Sequence, residues 1–122
     1  MNFITQSIGQ SLFERVVEIV ENLNLTPLER IPKFRAVLEG LFKELTKDEN
    51  QFFSNQNARE SYHFLTYTNT PKQLQRDIKS LRIFSNKVVH ETDIKPEAKD
   101  EQVCLKTISE AVAYFSKAEI PE

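Results

Sequence analysis

TPKQLQRDIKSLRIFSNKVVH, residues 70–90, reads as one amphipathic helix. With successive residues turning by about 100°, Leu74, Ile78, Leu81, Val88 and Val89 share an apolar arc. Lys72, Lys79, Arg82, Asn86 and His90 occupy the opposite arc, with Arg82, Asn86 and His90 in a single polar stripe. Thr70, Pro71 and Gln73 supply the start: a hydroxyl cap, a proline where no backbone donor is needed, and a reciprocal side chain.

Outward from this segment the same period recurs. Ile8, Leu12, Val16, Ile19 and Leu23 predict an N-terminal helix of about six turns that stops at Asn24. Thr26, Pro27 and Glu29 form a second start signal. Pro32 lies too deep for an undisturbed helix, so the pattern predicts a short turn at Pro27 and a main helix from about Pro32, with Phe34, Leu38, Leu41, Phe42 and Leu45 inward. TKDENQFFSNQN, residues 46–57, reads as a loop whose Phe52 and Phe53 fold back onto the protein rather than stacking on bases or plugging a partner. Asn57 and Glu60 predict the cap of a shorter helix through ARESYHFLTY, with Tyr62 and Leu65 inward. Pro96 opens a last helix that carries Leu105, Ile108, Val112 and Phe115. The expected fold is therefore an all-α, up-and-down bundle of four main helices and one shorter helix.

The 122 residues, 39% hydrophobic and 28% charged, suit one folded domain spanning residues 1–122. A net charge of −2 argues against a globally basic nucleic-acid binder and leaves only a local patch. The lone Cys104 has no disulfide partner in the chain, and no signal peptide or membrane span is visible, which predicts a cytoplasmic protein without a membrane partner. Residues 120–122 resemble a linker stub, as though the domain were the N-terminal part of a larger protein.

Common catalytic signatures are missing. Two glycines leave no phosphate loop, and there is neither a paired-cysteine pattern nor HExxH, so no metal or cofactor is implied. A bundle carboxylate site requires Glu-x-x-His elements on facing helices; Glu60 and His63 have that spacing, but His90 follows Lys87, so no second element exists to face it, and Arg59, Glu60 and His63 read as a solvated face with a partly buried His. Cys104, between Val103 and Leu105, reads as a structural thiol.

The stripe remains. LRIFSNKVVHE, on the penultimate helix of a small bundle, resembles the signature helix of the HEPN superfamily, in particular a prokaryotic branch appended to helicases, restriction enzymes and other large ATPases. The matching positions are Leu81, Arg82, Asn86, Val88, Val89 and His90. The resemblance implies a domain that dimerises and, in catalytic members, cleaves RNA without metal, an Arg steadying the phosphate while a His moves a proton near the 2′-hydroxyl. Arg82 and His90 are spaced more widely than that pair, about 12 Å along a straight helix, which is awkward for serving one phosphate. The favoured expectation is accordingly a non-catalytic accessory module of a nucleic-acid-processing or defence protein, acting as a homodimer or by docking to other domains. One alternative is a metal-independent ribonuclease using Arg82 and His90, with Asn86 between them. The other is a non-catalytic RNA- or DNA-binding module using Lys72, Arg76, Lys79, Arg82 and Lys87.

Overall fold

The apolar stripes of the sequence converge on one central helix. The computed structural model describes residues 2–117 and contains α1 (Gln6–Glu21), α2 (Pro27–Thr46), α3 (Gln56–Thr66), α4 (Lys72–His90) and α5 (Ala98–Ser116), with no strand among the described residues. The all-α bundle of four long helices and one shorter helix is as expected; residues 120–122, read as a linker stub, lie outside the described residues.

α2 packs against each of the other four helices. It contributes the largest share of the fully buried side chains, among them Ile31, Phe34, Leu38, Leu41, Phe42 and Leu45. Leu12 and Val16 of α1, Leu74, Ile78, Leu81 and Val88 of α4, and Cys104, Ile108, Val112 and Phe115 of α5 complete the core. None of its fully buried apolar members comes from α3.

Local chemistry sets the helix ends, and it departs from the sequence reading in four places. α2 runs unbroken from Pro27 through Pro32. The buried side chains of Ile31 and Phe34 flank Pro32 and hold both turns on the core, so packing outweighs the loss of one backbone bond. Glu29 accepts from the Thr26 backbone at 3.2 Å and from its hydroxyl at 3.0 Å, fixing the start. α1 ends at Glu21 rather than near Asn24, leaving Leu23 exposed. There Arg30 donates to the Asn22 carbonyl (2.7 Å), to the Ile19 carbonyl (3.3 Å) and to Glu101 of α5 (3.0 Å), so one α2 side chain closes the C-terminus of α1.

At the start of α4, Pro71 takes the cap position and Thr70 lies one residue too early, its hydroxyl buried without a partner. Gln73 bonds Asp77 instead of reaching back, and Gln75 donates to the Thr70 carbonyl at 3.0 Å. In α3 the cap is Asn55, which accepts from the Ala58 backbone at 2.9 Å, and Asn57 and Glu60 are released from that role. Leu65 is 80% exposed, whereas Gln56, Glu60 and His63 are buried, so this helix faces the bundle about its polar side. Val89, expected on the apolar arc of α4, is exposed as well.

α1 and α5 meet at Gly9. A Cβ there would lie 2.5 Å from the Cβ of Ser116, whose hydroxyl is held by the Val112 carbonyl at 2.7 Å. Gly9→Ala gains about 1 kcal/mol of helix propensity but forces the helices apart at a cost of about 1–3 kcal/mol. We expect a net loss of up to about 2 kcal/mol in urea unfolding; a stabilised variant would show that the two helices are not in contact there.

Candidate nucleic-acid interface

The polar side of α4 meets α3 across a cleft of about 380 Å³. Lys72, Arg76, Lys79 and Arg82 line its α4 wall, because positions i, i+4, i+7 and i+10 return to one face of a helix. Asn57, Ser61 and Phe64 line the α3 wall, with Glu60 at its base. Four of the five cations singled out as nucleic-acid contacts are therefore brought together; Lys87 is exposed and lies outside the lining.

Arg82 is tied to α3. Its Nε donates to both carboxylate oxygens of Glu60, each at 3.1 Å, and Glu60 also accepts from Gln56 Nε2 at 3.0 Å. Glu60 is 2% exposed, and burial holds its carboxyl above the usual range, outweighing the attraction of Arg82 and the weaker pull of Arg35 on α2. The other three cations are differently placed. Arg76 meets only the neutral Gln73 side chain, at 3.4 Å, and neither Lys72 nor Lys79 has an ion-pair partner among the described residues.

The Arg82, Asn86 and His90 stripe lies on one continuous helix, yet its members have separate surroundings. Arg82 is half-buried against the buried Glu60, Asn86 is half-buried, and His90 is exposed in the last turn; neither Asn86 nor His90 has a side-chain hydrogen bond among the described residues. His90 is also absent from the cleft that Arg82 lines.

His63 is wholly buried, against the expectation of a partly solvated ring. It sits among Phe42 (5.7 Å between ring centres), Phe115 (5.3 Å), Phe64 (6.0 Å) and Tyr67 (4.9 Å), with no hydrogen bond to either ring nitrogen among the described residues. Burial lowers its pKa from 6.5 to about 4. On the far side of α4, Asp77, Asp100 and Cys104 line a smaller cavity of about 180 Å³. Burial pushes the Cys104 thiol up to about 11, so it is not a thiolate at neutral pH. Of the two loop aromatics, Phe53 packs on Tyr62 at 5.2 Å, and Phe52, expected to fold back, is 93% exposed.

The sequence reading gives Glu60 a capping or solvated role and His63 a partly buried one, and does not anticipate the pairing of Glu60 with Arg82 or the full burial of His63. The signal was present in Gln56, Glu60 and His63 at i, i+4 and i+7, a helical stripe made of polar rather than apolar residues. No family model matches the chain, and no curated protein and no solved structure matches it.

Proposed function

We propose that this chain is a non-catalytic, HEPN-like accessory module of a larger nucleic-acid-processing protein, and that its α3–α4 cleft holds the phosphate backbone of a single nucleic-acid strand. One observation carries the reading: Lys72, Arg76 and Lys79 stand in a row on one wall of a concave cleft, without an ion-pair partner among the described residues. The carboxylate that lines the cleft, Glu60, is taken up by Arg82, and Asp77 and Asp100 line the cavity on the other side of α4. The row extends about 10 Å along the helix, which suits successive phosphates better than one terminal phosphate. A single strand enters a groove between two helices, where Phe64 offers a face for stacking; the convex duplex does not.

The same geometry supports a module without chemistry. Arg82 spends its Nε on Glu60, and the exposed His90 stands about 12 Å further along the helix, so the two do not share a reacting group. Three phosphate contacts predict a salt slope of about −2, or about 20-fold weaker binding on going from 50 to 200 mM salt. Fluorescence anisotropy with labelled single-stranded and duplex oligonucleotides measures this, and a Lys72→Gln, Arg76→Gln, Lys79→Gln triple variant should lose the binding while remaining folded. Absence of binding at 50 mM salt sinks the cleft reading. Cleavage of single-stranded RNA that disappears in both Arg82→Ala and His90→Ala would replace it with the ribonuclease reading.

Docking or dimerisation is a second reading. An apolar groove of about 320 Å³ formed by Phe13, Val17 and Val20 of α1 with Leu105 of α5 favours it, since Val17 and Val20 remain exposed. Light scattering across protein concentration reports whether a second copy covers it.

A further inference from the structure

α3 differs from the other helices in what attaches it. α1, α2, α4 and α5 share the fully buried apolar core, to which α3 gives no fully buried apolar residue; its inward side chains are Gln56, Glu60 and His63. Its chief helix neighbour is α2, and the contacts among α1, α2, α4 and α5 are complete without it. Phe64, half-buried, packs against Phe42 at 5.6 Å, and polar bonds hold the rest: Glu60 to Arg82 of α4, and the Tyr62 and Tyr67 hydroxyls to the two oxygens of Glu49, at 2.8 and 3.2 Å.

His63 is the anomaly in this attachment. A fully buried imidazole whose nitrogens are both unbonded among the described residues has lost its solvation without a hydrogen bond in return, a cost that a neutral ring bears and a cation bears far more heavily. We infer that α3 is an acid-released helix: protonation of His63 expels it from the aromatic cage and detaches α3 while the other four helices stay folded.

The groups facing His63 set the direction. Phe42 of α2 and Phe115 of α5 give an imidazolium no counter-charge. On α3 and its C-terminal cap, Phe64 and Tyr67 complete the cage, and Glu60, one turn earlier, is engaged by Arg82. Glu49, in the α2–α3 connection, is the charge that favours the cation, and its effect is smaller than that of burial. His63 therefore binds its proton more tightly in the released helix, at 6.5, than in the packed one, at about 4, so acid favours release as the pH falls through that window. Glu49 acts in the same direction at lower pH, since the Tyr62 hydroxyl holds its carboxyl below the ordinary value and that bond is lost on protonation. Glu60 acts in the opposite direction, because burial raises its carboxyl in the packed state, with Arg35 and Arg82 the cations facing it. Release removes Asn57, Ser61 and Phe64 from the cleft, a consequence that rests on the proposed function, whereas the release itself does not.

Amide hydrogen exchange on the intact chain, followed residue by residue without nucleic acid, tests the inference. From pH 7.5 to pH 5 the opening constant of α3 should rise by up to about 30-fold, with protection in α2, α4 and α5 unchanged. His63→Phe, which keeps a ring in the cage, should flatten the pH dependence, and His63→Leu should do the same if the larger ring strains the site. Protection lost in parallel from all helices, α3 protection that does not respond to pH, or a response surviving both substitutions overturns the inference.

Discussion

Replacing Arg82 with methionine is expected to destabilise the bundle by about 3–5 kcal/mol at neutral pH, the loss associated with leaving one member of a buried ion pair without the other. Methionine keeps the aliphatic length of the side chain, so the penalty falls on Glu60, which stays 2% exposed with Gln56 as its remaining hydrogen-bond partner. The penalty is pH-dependent, and its sign is fixed. Burial already raises the Glu60 carboxyl, and losing the guanidinium raises it further; a carboxyl raised in the folded state disfavours folding at high pH and is relieved as the pH falls through that value. Urea unfolding at pH 7.5 and pH 5 should therefore give a smaller difference between Arg82→Met and the parent chain at the lower pH. Combining Arg82→Met with Glu60→Met should recover much of the loss, because no buried charge is left unpaired, the remainder being the buried Gln56 amide that loses its acceptor. A single-variant penalty below about 1 kcal/mol would mean that the pair is solvated and that α3 is not anchored to α4 through it.

This ion pair also marks where sequence reading stopped. The inward arc of α4 from Leu74 to Val88 was visible because helical periodicity is a property of neighbouring residues, and burial follows it at Leu74, Ile78, Leu81 and Val88. The cationic wall was visible for the same reason, since Lys72, Arg76, Lys79 and Arg82 return to one face. What faces that wall was not. Glu60 reaches Arg82 across the α3–α4 turn, and nothing in the period of either helix pairs the two. In α3 the usual rule inverts: Leu65 points outward and His63 inward, because Phe42 and Phe115 from other helices build the cage that makes the inward position favourable for a ring. Propensity erred in a similar way at Pro32, where the core contacts of Ile31 and Phe34 override a local penalty. The HEPN resemblance rests on the one segment whose local pattern is clearest, and the cleft beside it depends on a neighbour that the pattern does not specify.

Phe42→Ala is expected to cost about 3–5 kcal/mol, and to do so unevenly across the fold. Phe42 is fully buried and packs edge-on against His63 at 5.7 Å, Phe64 at 5.6 Å and Phe115 at 5.7 Å, so a single ring joins α2 to both α3 and α5. Its removal opens a cavity on the side where α3 has no fully buried apolar residue with which to fill it. Phe34→Ala is the informative comparison. Phe34 is equally buried on the same helix, yet its ring is not among the paired aromatics that contact α3. Both variants should lose stability of similar size by urea unfolding, but only Phe42→Ala should lose α3 protection in hydrogen exchange at neutral pH while α4 and α5 remain protected. If Phe34→Ala exposes α3 to the same extent, attachment of this helix is a property of the whole core rather than of the ring cluster around His63. The cleft would then open only when the bundle itself unfolds.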